Sequence, residues 1–312
     1  MKKILIAVQN PDDAQEWADH FKQQDPSWQV QIWTPDTPFT GAHYAVVWQP
    51  PARLFAQEKD LKAVFNLGAG VDALGIGSVI PAEMPVYRIE DGGMAVQMAE
   101  YALHGVLLAT RRFTTYAQQQ PKKEWRTHAP VLRSEWPIGV MGYGQIGAQV
   151  ANTLDQLGYP VAAWARRERS DQTGIEMYAG DAQFQAFLQR TRILINVLPL
   201  TDETRGIINK NTLDALQQDG FVINMARGAH VIDEDLLAAL DSGQLRGALL
   251  DVFHTEPLPV EHPFWTEPGV HITPHIAGVS LRHECTTQIL EKLAVLLQGQ
   301  EPTGRVNPQQ QY

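Results

Sequence analysis

One cysteine, Cys285, stands among 312 residues. A lone thiol excludes an intramolecular disulfide framework and any zinc site built on several thiolates, and it fits a reducing, intracellular setting. Long apolar runs are also missing. After "MKK" the apolar stretch Ile4 to Val8 gives way at once to "QNPDD", too short for a signal-peptide core or a bilayer span. The expectation is a cytoplasmic protein with no membrane partner. Positive charge is scarce as well: 25 Lys and Arg stand against 35 Asp and Glu, a net charge of −10. A broad nucleic-acid surface needs the opposite balance, so no nucleic-acid partner is expected, and any anionic ligand must be gripped by local groups. No fixed-period repeat occurs, and the final "PQQQY" is the only low-complexity tract. What is present is 44% hydrophobic residues, enough for a sizeable core and for two domains.

Short apolar runs alternate with amphipathic polar stretches. "KILIAV", "VQIW", "YAVVW" and "AVFNL" read as strands, and "DDAQEWADHFKQQ" as a helix opened by an aspartate. Such alternation implies a parallel sheet covered by helices, here a small α/β domain over residues 1–98. A long apolar helix, Ala95 to Arg112, then links to a second domain over residues 99–279, and the polar "TTYAQQQPKKEWRTHAP" breaks the pattern. Gln97, Glu100 and His104 make that helix too polar for a membrane, so burial between domains or subunits is expected. From Pro137 the alternation restarts with "IGVM", "PVAAWA", "RILINVLP", "GFVINMA", "GALLDVF" and "VHIT" as strands. The helices between them include "AQFQAFLQ", "NTLDALQQ" and "DEDLLAALDSG". The expected fold class is therefore α/β with two doubly wound parallel-sheet domains: a Rossmann-type cofactor domain and a smaller, flavodoxin-like one. Residues 280–312 supply one more helix, expected to return to the first domain.

Gly142, Gly144 and Gly147 form G-x-G-x-x-G between the strand "IGVM" and a helix. The first allows a tight turn, the second lets a pyrophosphate approach the backbone, and the third packs helix on strand, with helix-terminal amides facing the phosphates. The ribose-reading residue of such a unit lies roughly 20 residues on, at the end of the next strand. That end falls at Ala165, followed by Arg166 and Arg167 where an acid often stands. Two guanidiniums suit a 2′-phosphate, so the expected cofactor is NADP(H). The alternative is that both arginines are solvated residues at a helix start and Glu168 is the ribose acid.

Three later strand ends carry Arg227 in "NMARGAHV", Glu256 in "DVFHTEP" and His275 in "ITPHIAG". Ligands of a doubly wound sheet bind beyond the carboxyl ends of its strands, so the three can share one crevice. Reducing a 2-keto acid needs a cation for the carboxylate, a proton donor for the ketone oxygen, and a carboxylate to stabilise the protonated donor. Arg227, His275 and Glu256 supply these in turn. Pro263 and Pro274 interrupt the chain between His262, His271 and His275, so no helical imidazole pair forms and no metal is expected.

From "LINVLPLTDETRGIINKNTLDAL" through "INMARGAHVIDEDLLAALDSGQLRGALLDVFHTEPLPVEHPFW" to "HITPHIAG" the chain resembles the D-isomer-specific 2-hydroxyacid dehydrogenases. The likeness extends to the glycine turn and, more loosely, to "NLGAGVD" and "MAEYALHGVLLATRR", and it leans toward the glyoxylate and hydroxypyruvate reductases of the bacterial A branch. The resemblance implies the roles given above for Arg227, Glu256 and His275. It also implies carboxylate binding by the amides of Ala69, Gly70 and Val71, with Asp251 near the nicotinamide carboxamide. Gln145, Ile146, Leu198 and Pro199 are further expected cofactor contacts, and a homodimer is the expected assembly. Trp48 is a candidate pocket wall, although a core position suits a tryptophan better; Trp125 in "KKEWRT" is a candidate subunit contact. "ALGIG" departs from the usual continuation after "GAGVD", and no regulatory domain is expected after residue 312. The alternatives are an NAD-dependent D-lactate-type or formate dehydrogenase and a dinucleotide-sensing protein-binding module. Formate oxidation needs no proton donor, which disfavours that choice.

Overall fold

The computed structural model describes residues 2–168 and 174–309. It divides into two compact units, one of Met1–Met94 with Ser280–Tyr312 and one of Ala95–Val279.

In the first unit, β1 (Lys3–Ala7), β2 (Gln29–Ile32), β3 (Tyr44–Val47), β4 (Ala63–Asn66) and β5 (Val86–Tyr87) form one sheet in the order β2-β1-β3-β4-β5. Each neighbouring pair is parallel, the flavodoxin-like order. Helix α1 (Pro11–Gln24) buries Ala14, Trp17, Ala18 and Phe21 along one face, at the spacing its sequence sets. Its cap is Asn10, whose side chain accepts from the amides of Asp12 and Asp13. The two aspartates expected to open the helix lie inside its first turn, favourable to the helix dipole, behind Pro11. Helix α2 (Ala52–Gln57) buries Leu54 and Phe55 in a core with Leu5, Ala45 and Val47 of the sheet.

The second unit opens with α3 (Met94–Arg111) and α4 (Phe113–Gln119). The polar stretch after residue 112 thus starts with a helical turn, which its lack of apolar period conceals. α3 lies against this unit's own sheet: a Cβ on Gly105 would stand 2.5 Å from Cδ1 of Ile223. Seven parallel strands follow: β6 (Ile138–Met141), β7 (Val161–Ala165), β8 (Glu176–Ala179), β9 (Ile193–Asn196), β10 (Gly220–Asn224), β11 (Leu245–Leu250) and β12 (Val270–Ile272). Their order is β12-β11-β10-β9-β6-β7-β8, which is the Rossmann order with one strand added. β6, β7, β9 and β10 are buried along their whole length, as parallel strands covered on both faces must be. β8 was not expected from the sequence. Its "EMYA" is partly exposed at the sheet edge, so it shows neither an apolar run nor a clean alternation, and pairing with β7 decides its conformation.

The helices of this unit are α5 (Gln145–Gln156), α6 (Gly180–Gln189), α7 (Lys210–Ala215) and α8 (Asp233–Asp241). α9 (Arg282–Leu297) belongs to the first unit, where Arg282 pairs with Asp13 and with Glu16, the latter at 2.9 Å.

Candidate active site

β6 ends at the glycine turn. Gly142 holds φ +100°, a conformation open to glycine, and its amide donates to the Trp164 carbonyl. A Cβ on Gly147 would stand 1.9 Å from the Gly142 carbonyl oxygen, so the close approach of α5 to the turn requires glycine there. At Gly144, the residue preceding α5, a Cβ would meet nothing within 4 Å, which leaves the backbone open on that side. The first helical bond runs from Ala148 to Gly144. The amides of Gln145, Ile146 and Gly147 thus lead a 12-residue helix without intrahelical acceptors. A cradle of this shape fits a dinucleotide pyrophosphate.

β7 ends at Ala165, and Arg166 and Arg167 follow directly. Arg166 is half-buried and lies 3.4 Å from Glu203, while Arg167 and Glu168 are exposed. Among the described residues no helix starts at this point, and the next element is β8.

The ends of β9 and β10 are joined by asparagines not expected from the sequence as part of the site. Asn196 donates to Asn224 at 3.0 Å and accepts from the Leu198 amide; Asn224 donates to the Arg227 carbonyl at 2.9 Å. Fully buried His230 places its ring nitrogens 3.2 Å from the Arg227 carbonyl and 3.3 Å from that of Pro199. This ties Leu198 and Pro199 to the backbone that presents Arg227. The signal was legible: a single Asn closes each of the apolar runs "ILIN" and "GFVIN".

Arg227, Glu256 and His275 come from the carboxyl ends of β10, β11 and β12, three adjacent strands. A Cβ on Gly228 would stand 2.0 Å from the Phe253 carbonyl carbon, so the Arg227 segment lies against the loop that carries Glu256. In that loop Glu256 accepts from the Phe253 amide at 2.9 Å through Oε1 and stands 2.7 Å from His275 Nδ1 through Oε2. The imidazole is 45% exposed, open on its other side.

His275 itself holds φ +55°. For a residue with a Cβ that conformation costs roughly 1–2 kcal/mol, and local bonds must hold it. They come from Asp251, whose carbonyl accepts from the His275 amide at 2.8 Å. The Asp251 carboxylate, expected near the cofactor, is fully buried. It accepts from the Thr273 hydroxyl at 2.6 Å and from the amides of Ile276 and Ala277 at 2.8 Å each. Its oxygens therefore secure the loop that presents His275. Tyr101 of α3 reaches the same network, 2.5 Å from the Thr273 hydroxyl. Because Thr273 gives its proton to Asp251, Tyr101 is the donor to Thr273, and burial pushes its phenol well above the ordinary range.

His262 lies 3.3 Å from Asp233 at the head of α8. Trp125 is 99% exposed.

The sequence model of the D-isomer specific 2-hydroxyacid dehydrogenase family, NAD binding domain, matches residues 103–277. The chain belongs to the D-isomer-specific 2-hydroxyacid dehydrogenases. A glyoxylate/hydroxypyruvate reductase A of Serratia proteamaculans (strain 568) is 44% identical over 302 residues, covering 95% of each chain. A family dehydrogenase of Xanthobacter autotrophicus Py2, solved in complex with NADPH and MES, has a TM-score of 0.91 at 33% identity over the full length of both chains. The NADPH-dependent glyoxylate/hydroxypyruvate reductase of Sinorhizobium meliloti, solved with NADP and sulfate, gives 0.90 at 31%, also over both full lengths.

In the first unit, Ala69, Gly70 and Val71 form the turn that leaves β4. Trp48 is 39% exposed, so the core position that its residue type favours is not the one it takes. Its ring lies against Gly68, where a Cβ would stand 2.5 Å from Cζ3. After Val71 the departing "ALGIG" segment is closed by Gly75 at φ +62°, whose carbonyl accepts from the Ser78, Val79 and Ile80 amides.

Proposed function

We propose that this dehydrogenase reduces small 2-keto acids with NADPH, glyoxylate to glycolate and hydroxypyruvate to D-glycerate. The observation that carries the reading is the His275–Glu256 pair at 2.7 Å, beside Arg227 on three neighbouring strand ends. A reduced nicotinamide, when bound, supplies the hydride. The glycine turn and the amides of Gln145 to Gly147 hold its pyrophosphate, with Leu198 and Pro199 as further contacts. Arg166 and Arg167 hold the 2′-phosphate, Arg166 exchanging its pairing with Glu203 for a doubly charged group. Asp251 stands near the nicotinamide carboxamide and fixes the His275 loop.

In the second unit Arg227 anchors a substrate carboxylate. In the first unit the main-chain amides of Ala69, Gly70 and Val71 are carboxylate donors, and Trp48 walls their loop at Gly68. Glu256 accepts from His275 Nδ1–H, which fixes the ring and leaves Nε2 as the atom that takes up and gives the transferred proton. From Nε2 the proton passes to the keto oxygen as negative charge develops there. Replacement of that proton from solvent returns Nε2 to its starting state.

Full-length relatives that bear the reductase name support the substrate class, and related structures solved with NADPH or NADP support the cofactor. The reading extends to a cytoplasmic homodimer that uses the exposed Trp125 segment as subunit contact. Among the described residues no helix is long and apolar enough to cross a membrane. Light scattering on a sizing column tests the dimer.

The functional test is the loss of reduced-nicotinamide absorbance with NADPH or NADH against glyoxylate, hydroxypyruvate and pyruvate. Fast turnover with NADPH and the first two acids is expected. Preference for NADH and pyruvate would move the reading to a D-lactate-type enzyme.

A further inference from the structure

We infer that Asn66 is a positioning residue for the keto acid: its side-chain amide turns the peptides of the following loop so that two backbone N–H groups are free to hold a carboxylate. The identity of that carboxylate rests on the function proposed above.

Asn66 is the last residue of β4 and is fully buried. Its Nδ2 donates to the carbonyls of Gly68 and Gly70, each at 2.8 Å. Both peptides that carry these carbonyls, Gly68–Ala69 and Gly70–Val71, are trans. In a trans peptide the N–H points opposite to the C=O. Two carbonyls that converge on one nitrogen therefore send the Ala69 and Val71 amides to the other side of the loop, away from the buried side chain. Among the described residues no acceptor takes either amide. A pair of parallel, unspent N–H groups is a concavity for an anion.

Two further observations make this more than turn chemistry. Asn66 Oδ1 is buried without a hydrogen-bond partner, a cost of about 1–3 kcal/mol that an apolar residue would avoid. The amide thus reduces stability on one side while it fixes the loop on the other. On the flank, the Trp48 ring leaves no room for a side chain at Gly68, so the loop is held from two directions and cannot relax by moving toward the tryptophan. Asn is also the fitting residue type. Asp has the same shape but would set a carboxylate against two carbonyls, and Ser could reach only one of them.

The test uses the full-length protein loaded with NADPH and two variants, Asn66→Asp and Asn66→Ser. The readouts are glyoxylate kinetics and the dissociation constant of oxalate, which carries the same carboxylate and cannot be reduced. For Asn66→Asp the KM for glyoxylate and the oxalate constant are expected to rise about tenfold or more. Turnover at saturation and NADPH affinity should stay close to wild type, the pattern for lost uniform binding. A merely structural asparagine would lower the melting temperature without that split. Should Asn66→Asp not fold, Asn66→Ser reads the same quantities, with a smaller rise expected because one bond can survive. Unchanged KM and oxalate affinity in a folded variant overturns the inference. If wild-type protein binds oxalate but reduces no keto acid, the functional reading fails, whereas loss of oxalate binding in the variants still upholds the role of Asn66.

Discussion

His275 combines a left-handed backbone, a carboxylate at 2.7 Å from Nδ1 and an exposed imidazole edge. The strain is tolerable because Asp251 binds the residues on both sides of the ring. A glutamine at 275 can keep a bond to Glu256 and cannot deliver a proton. His275→Gln is therefore expected to lower turnover by about 100-fold or more with NADPH affinity unchanged. Stopped-flow turnover and fluorescence titration check this, and a normal turnover number would remove the proton-donor role. Arg166 and Arg167 directly follow the end of β7. Joint replacement by glutamine should raise the KM for NADPH by about tenfold or more and leave that for NADH nearly unchanged, since the latter has no 2′-phosphate. An equal loss with both cofactors would mean that the arginines serve the fold rather than the phosphate.

At the scale of elements, the carboxyl ends of β10, β11 and β12 are the framework, and α3 braces them through Gly105 and Tyr101. The same packing puts a titratable group under constraint. His271 of β12 is half-buried, and burial, aided by the charge of His104 on α3, holds its imidazole below the ordinary 6.5. The sign follows: as pH falls through 6.5 the unfolded chain takes up a proton that the folded chain resists. The contribution to stability is thus complete above that pH and is lost as pH falls toward the lower folded value. Melting temperature should drop between pH 7.5 and pH 5.5, both about one unit from that midpoint. The drop should be smaller in His271→Gln; an identical drop would assign the acid sensitivity to other groups.

At the scale of the molecule, the first unit is assembled from both ends of the chain. α9 covers α1 through Arg282, which pairs with Asp13 and Glu16, and Gln24 donates to the His283 carbonyl at 3.0 Å. Lys292, 4% exposed, bonds Glu90 at 2.9 Å and the Thr303 carbonyl at 2.7 Å. Thr303 and Lys292 together hold the Glu90 carboxyl below the usual carboxylate range against the opposing effect of burial. Ending the chain at Val279 would remove all of these partners. The truncated protein is expected to lose its first unit to brief protease treatment while residues 95–279 resist and still bind NADPH. Survival of residues 1–94 under the same treatment would show that the C-terminal segment is dispensable to that unit.

Much of this was written in the sequence. The uninterrupted apolar strands of the second unit, the glycine spacing and the order of Arg227, Glu256 and His275 are local patterns, and local patterns survive without coordinates. The parallel two-sheet architecture and the family followed from them. Other features depended on residues brought together from distant parts of the chain. β8 exists because β7 offers it an edge, and its own four residues carry no strong preference. Trp48 stays partly exposed because Gly68 receives its ring, where residue type alone favoured the core. Asp251 fixes a loop through groups 22 to 26 residues away, and Asn66 orients a turn through one nitrogen. Hydrogen bonds of that kind leave no periodicity to read. The sequence by itself determined which chemistry the chain carries, because residue type fixes charge and proton capacity. Only the tertiary structure decided which buried polar groups hold that chemistry in place, because their partners are set by packing rather than by neighbourhood along the chain.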